Sequence, residues 1–278
     1  MNRSLPCLLA ALLFAASAIA APEEQTVAPE DRIENWTGKT VLVFTPHPDD
    51  DTFACGGTMA ILAKNKNNVI VVIYTNDDKG SLDLEMTSER LARIRKAEEE
   101  KACEILGIPK ENIHWLGYED GNLEYADPQH LRGEAARYIK QYRPDAIFTI
   151  DPGSEHERWH KTDHRMAAFI TQDAFIASEW HLYYPQHLLV DGLKPYRVPV
   201  AYYYYTTEPN YTVDLSAAGV WEKKADACAA HVSQFEPSLS KYTPEMSADA
   251  KKEIVSFFEK RSRDGERFVE RFRRLVEP

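Results

Sequence analysis

Four residues just after an apolar run, His47, Asp49, Asp50 and Asp51 in TVLVFTPHPDDD, set an imidazole and three carboxylates side by side. Adjacent carboxylates repel one another. A divalent cation offsets that repulsion, and imidazole and carboxylate are ordinary zinc ligands. Capping a helix that starts near Thr52 needs one aspartate; three with a histidine exceed that need. A second cluster, DPGSEHERWHKTDHR at residues 151 to 165, follows the run DAIFTI. His156, His160 and His164 are spaced four apart, so a continuous helix would put all three on one face. A helix starting at TDHR, capped by Thr162 or Asp163, instead leaves His156 and His160 in the preceding loop. Pro152 and Gly153 favour that later start.

Neither cluster contains cysteine. Histidine and aspartate alone suit a catalytic zinc centre, which keeps a position for water, better than a closed structural one. Such a metal lowers the pKa of its water to about 7, and a neighbouring unligated carboxylate can take the proton as general base. The chemistry implied is metal-assisted hydrolysis of an amide or an ester.

These clusters must be carried by something that brings them together. TVLVFT, NVIVVIYT, NIHWLG and DAIFTI are short β-branched runs that fit buried parallel strands. Between them lie TFACGGTMAILAKN, SERLARIRKAEEEKACEILGI and QHLRGEAARYIKQY, whose apolar residues recur at helical spacing. The alternation predicts an α/β fold, a mostly parallel sheet with helices on both faces. Ligands of such sheets sit beyond the carboxyl ends of the strands, where both clusters fall. Ser88 marks a helix start and Leu106-Gly107 its stop. Further on come an aromatic strand, AYYYYT, whose tyrosines could stack on sugar rings, then a helix-like VWEKKADACAAHVSQF. A long charged helix, DAKKEIVSFFEKRSRDGERFVERFRRLV, is expected at the C-terminus.

Residues 1 to 20 read as a signal peptide: a positive start at MNR, a short apolar core, and small residues before Ala21. Export to the periplasm or the medium is expected, with no stable membrane insertion after cleavage. Residues 21 to 38 read as a flexible lead-in, and 39 to 278 as a single domain. A net charge of −11 argues against nucleic acid as partner, because phosphate binding needs a basic face. Past the leader, the odd count of Cys55, Cys103 and Cys228 excludes a disulfide framework, one bridge being allowed in an oxidising compartment, and Cys55 and Cys103 read as small buried hydrophobes.

HPDDD at 47 to 51, ACGG at 54 to 57 and DH at 163 to 164 resemble the PIG-L/LmbE-like zinc-dependent N-deacetylases. Arg95-x-x-Glu98 with Ala102 and Leu106-Gly107, GYEDGNL around Asp120, and HVSQ at 231 to 234 extend the resemblance. It implies a Rossmann-like three-layer sandwich with an additional C-terminal helical region, and Zn2+ (or Fe2+) on His47, Asp50 and His164. Asp49 stands as general base, Arg95 and Asp120 as substrate-binding residues, and Asp51 and Asp163 as supports of the ligands. An unconnected alternative makes Arg95 a helix-surface partner of Glu98. Two departures stand out. Asp51 occupies a place usually held by glutamate, one methylene longer. Lys161 occupies the place of a catalytic histidine, with His160 one residue earlier, so either could supply the positive charge. The implied reaction is removal of an N-acetyl group from an amino sugar or glycoconjugate, with a small-molecule or glycan substrate. Another metal-dependent amidase or esterase, or a non-catalytic metal- or glycan-binding protein, are the alternatives.

Overall fold

The computed structural model describes residues 24–153 and 161–278. Five strands run parallel: β1 (Thr40–Thr45), β2 (Asn68–Thr75), β3 (Ile113–Tyr118), β4 (Ala146–Ile150) and β5 (Val200–Tyr204). Two antiparallel strands, β6 (Tyr211–Asp214) and β8 (Arg267–Val276), continue the sheet, and the short β7 (Arg263–Asp264) pairs with β8. The order is β3-β2-β1-β4-β5-β8-β6. Alternation along each strand builds two cores. Val41, Val43, Val69, Val71 and Ile73 face one side, against α1 (Asp50–Lys64), α2 (Ser88–Leu106) and α6 (Val220–Ala230). Leu42, Phe44, Ile70, Val72 and Tyr74 face the other, against α3 (Pro128–Tyr142) and α4 (Thr162–Glu179). The chain leaves β1 to one side for β2 and resumes on the other at β4, so the crevice falls at the ends of these two strands. Both predicted clusters begin there. Short α5 (Pro185–Leu189) and α7 (Ala248–Ser262) complete the helices.

Helix α1 is kinked. Cys55 has non-helical dihedrals, φ −133° and ψ 15°, and the N–H groups of Gly57 and Thr58 donate to the buried carboxylate of Glu270 at 2.8 Å each. Lys224 pairs with the same carboxylate at 2.5 Å. The kink frees donors that β8 satisfies, in accord with kinks arising where a side chain enters the ladder. Gly57 is required here because a Cβ would stand 2.5 Å from Leu215.

Two expectations are corrected. The charged C-terminal helix ends at Ser262, and Arg263–Asp264 and Arg267–Val276 are strands. Gly265-Glu266, with φ +61° at Gly265, is the two-residue hairpin turn, and pairing with β5 and β6 outweighs the helix-like spacing of Phe268, Phe272 and Leu275. The lead-in is also built into the fold from residue 24. Ile33 is fully buried in the core, and Asn65 and Asn67 donate to the carbonyls of Glu34 and Trp36. No described helix is long and apolar enough to cross a membrane. Cys55, Cys103 and Cys228 are free and buried.

Candidate metal centre

The turn after β1 and the start of α4 bring His47, Asp50 and His164 together. Nδ1 of His47 and Nε2 of His164 each lie 3.1 Å from Oδ2 of Asp50, and the two rings are 5.1 Å apart between centroids. One ligating atom from each residue falls within 4.8 Å of the others. Two imidazole nitrogens and a carboxylate oxygen converging in this way fit a divalent metal, with the three-ligand composition of catalytic zinc sites.

The far side of His47 fixes which nitrogen faces that point. Nε2 lies 3.1 Å from Oδ1 of Asp120 and 3.2 Å from Oδ2 of Asp163. Asp163 already accepts the N–H groups of Gly121 (2.6 Å) and Leu123 (3.0 Å), so it is held as an acceptor. His47 therefore donates through Nε2, and a metal beside Asp50 would take the lone pair of Nδ1 in place of the proton that Nδ1 otherwise shares with Asp50, an arrangement that orients histidine ligands and raises their basicity. Burial works against charge on His47, but Asp120, Asp163 and Asp50 outweigh it and push its pKa well above the ordinary value. Asp50 is the converse: burial opposes its charge, and His164 and His47 hold its carboxyl well below the usual range.

Asp49 sits at the N-cap position of α1 and does not cap it. Its φ of 142° is a conformation that L-residues rarely adopt and that costs of order 1–3 kcal/mol. Its carboxylate makes no cap hydrogen bond to the helix, while that of Asp50 lies between the two histidines. Burial, Asp50 and Asp77 push the Asp49 carboxyl well above its ordinary pKa. A raised carboxyl is the condition of a group that takes and returns a proton near neutral pH. Pro48 stiffens this turn.

The expected position of Arg95 is corrected on both readings. The residue is neither at a rim nor on a surface, being 1 % exposed. It pairs with Asp77 at 2.7 Å and donates to the carbonyls of Asp77 and Gly80. Glu98 accepts from the N–H and Oγ of Ser233 at 2.8 and 2.7 Å, and Gln234 donates to Asp77 at 2.8 Å. The RxxE and HVSQ segments thus form one buried clamp holding the loop after β2. Asp120, expected to meet substrate, is engaged with His47 and also accepts the N–H of Lys79 at 3.2 Å. Asp51 is fully buried and contacts none of the three candidate ligands by hydrogen bond. Lys161 is exposed at the N-cap of α4, which begins at Thr162; His156, Trp159 and His160 lie outside the described residues.

Tyr205, suggested with its neighbours as a sugar platform, instead borders the candidate ligands, a position the sequence did not signal. Its Oη lies 3.1 Å from Oδ1 of Asp50 and its ring stacks on His164 at 6.2 Å and 7°. Burial and Asp50 push its phenol well above the ordinary pKa, so it stays a donor. Tyr202, Tyr203 and Tyr204, the other tyrosines suggested as sugar platforms, are buried within the sheet cores. Asp151, at the end of β4, is taken by a two-point pair with Arg273 at 2.5 and 2.8 Å.

Comparison with known proteins agrees with this geometry. Residues 42–175 match the family model described as PIG-L: GlcNAc-PI de-N-acetylase. A diacetylchitobiose deacetylase of Thermococcus kodakarensis is 34% identical over 197 residues, covering 71% of this chain and 70% of that protein. The N,N'-diacetylchitobiose deacetylase of Pyrococcus horikoshii, solved with an inhibitor, superposes with a TM-score of 0.70 at 30% identity, covering 86% and 84% of the two chains. The 4-carboxy-2-hydroxymuconate hydratase GalB of Pseudomonas putida KT2440 superposes with a TM-score of 0.65 at 19% identity over 86% and 97%, a likeness of fold alone. With HPDD and DH brought to one centre and this identity spread over most of both chains, the chain belongs to the PIG-L family.

Proposed function

We propose that the protein is a metal-dependent hydrolase that removes the acetyl group from an N-acetylglucosamine-type sugar, with zinc as its metal. The observation that carries the reading is the convergence of His47, Asp50 and His164 beside an uncommitted Asp49, in a chain 34% identical to a diacetylchitobiose deacetylase. When bound, the metal supplies Lewis acidity toward the acetyl carbonyl and lowers the pKa of a water.

The chain's own residues do the rest. His47 and His164 would offer nitrogens to the metal beside Asp50, Asp163 and Asp120 hold Nε2 of His47 as a donor, and Tyr205 fixes the second oxygen of Asp50. Asp49 removes a proton from water as it attacks the acetyl carbonyl. The same proton passes from Asp49 to the departing nitrogen, leaving free amine and acetate. His160 or Lys161 is the candidate source of positive charge for the developing oxyanion. Carboxylates crowd the site and suit a product that carries an ammonium.

The signal-peptide reading of residues 1 to 20 supports an activity outside the cytoplasm, on a glycan of the envelope or the medium. Recovery of the chain from the exported fraction with Ala21 as its first residue tests that placement. An acetate-release screen of the zinc-loaded protein over N-acetylated glycans and acetyl esters tests the reaction. Release from N-acetylglucosamine derivatives and not from esters is expected; release from esters alone contradicts it.

A further inference from the structure

Behind the candidate centre lies a second set of polar side chains that the proposed reaction leaves without a task. Asp51, in the first turn of α1, meets Glu99 and Cys103, one turn apart on α2, and a ligating atom from each falls within 4.8 Å of the others. All three residues are at 0 % exposure. Neither oxygen of Asp51 has a hydrogen-bond partner, nor has Oε2 of Glu99. Sγ of Cys103 lies 3.3 Å from Oε1 of Glu99.

A fourth buried side chain reaches this set from the far side of Glu99. His231, the residue that ends α6, is 1 % exposed, and its Nε2 has no hydrogen-bond partner. That nitrogen lies 3.7 Å from Oε2 of Glu99, too far for a hydrogen bond. Burial, with Arg95, brings its pKa down to about 3, so the ring is neutral and keeps a lone pair. An edge contact with Phe53, 5.4 Å between centroids, orients it. Two protein ligands of one zinc ion, each about 2 Å from the metal, stand roughly 3–4 Å apart. The spacings of Glu99 to Cys103 and to His231 are of this size.

Charge gives a further reason. Two buried carboxyl groups face each other here, and ionising both without a compensating cation costs several kcal/mol. Lys224 is paired with Glu270 and Arg95 with Asp77, so neither compensates them.

We propose that Asp51, Glu99, Cys103 and His231 form a second metal site, closed by protein ligands, for a zinc-like divalent cation that accepts thiolate. The mixed sulfur, nitrogen and oxygen set belongs to zinc and its neighbours, and binding releases the thiol proton. With four protein ligands it is structural. It joins α1, α2 and α6 at one point and, through Asp51, steadies the turn from which Asp49 and Asp50 reach the candidate centre.

Cobalt substitution separates the two sites, because only the second contains sulfur. The full-length protein, stripped of metal and reloaded with Co2+ alone, is expected to hold two cobalt ions per chain and show a thiolate-to-cobalt charge-transfer band in the near ultraviolet. His164→Ala should lose one cobalt and keep the band, whereas Cys103→Ala should lose one cobalt and the band. One cobalt per chain without a thiolate band in the wild-type protein overturns the proposal, as does a band that survives Cys103→Ala. Where Cys103→Ala does not fold, the wild-type and His164→Ala measurements decide. Acetate release plays no part in the readout, so the outcome is independent of the proposed reaction.

Discussion

His47 and Asp163 meet at 3.2 Å, Nε2 to Oδ2, on a carboxylate whose other contacts are two backbone N–H donors. That contact, with Asp120 at 3.1 Å from the same nitrogen, holds Nε2 as a donor and leaves Nδ1 for a metal. Asp163→Ala should therefore weaken metal binding roughly 10–100-fold, the usual effect of removing the partner of a ligating histidine. Competition with a chromophoric chelator measures it. Unchanged affinity would mean that Asp163 does not set the tautomer.

Tyr205 holds the other oxygen of Asp50, from a backbone at φ 55°. Tyr205→Phe keeps the ring stacked on His164 and removes only the hydroxyl. Metal affinity should drop toward the lower end of the same range, about 10-fold, with the thermal midpoint little changed. A variant that binds metal as the wild type does would reduce Tyr205 to packing.

Arg95 is buried with its charge opposite Asp77. Arg95→Met strands that carboxylate, and stability should fall by about 3–5 kcal/mol, the cost of breaking a buried pair from one side. Urea unfolding gives the value. A variant of wild-type stability but raised KM would restore the expectation that Arg95 binds substrate.

His187 supplies a pH dependence away from the centre. Its ring is 6 % exposed, and burial, then Lys140 and Arg137, hold its pKa at about 4 against 6.5 for a free histidine. Above 6.5 it is neutral in both states. As pH falls from 6.5 toward 4 the unfolded chain takes up a proton that the native ring refuses, so stability is lost across that window. The thermal midpoint of His187→Gln should fall less steeply than that of the wild type between these values. Parallel curves would remove His187 from the account.

The strands and the convergence of the two clusters were legible because β-branched runs and strand-end histidines are local signals. What escaped depended on partners distant in sequence. The spacing of RFVERFRRLV reads as a helix until β5 and β6 supply hydrogen bonds on both edges, although Asp264-Gly265 was a visible turn signal. Arg95 reads as solvent-facing in a charged helix, and only the fold brings Asp77 and Gln234 to meet it. Tyr205 carries no local mark that sets it apart from the three buried tyrosines before it. Asp49 was legible because three carboxylates exceed what a cap needs, but its strained φ was not.

The account turns on the division of labour between two adjacent aspartates, one toward the metal and one toward water. Asp49→Ala tests it directly when acetate release and metal content are measured on the same preparation, with a glycan the wild type hydrolyses. A fall of about 10²–10⁴ in rate, the usual worth of a general base, with metal still bound at the His47, Asp50 and His164 centre is the expected result. Full activity, or loss of that metal along with the rate, would contradict it.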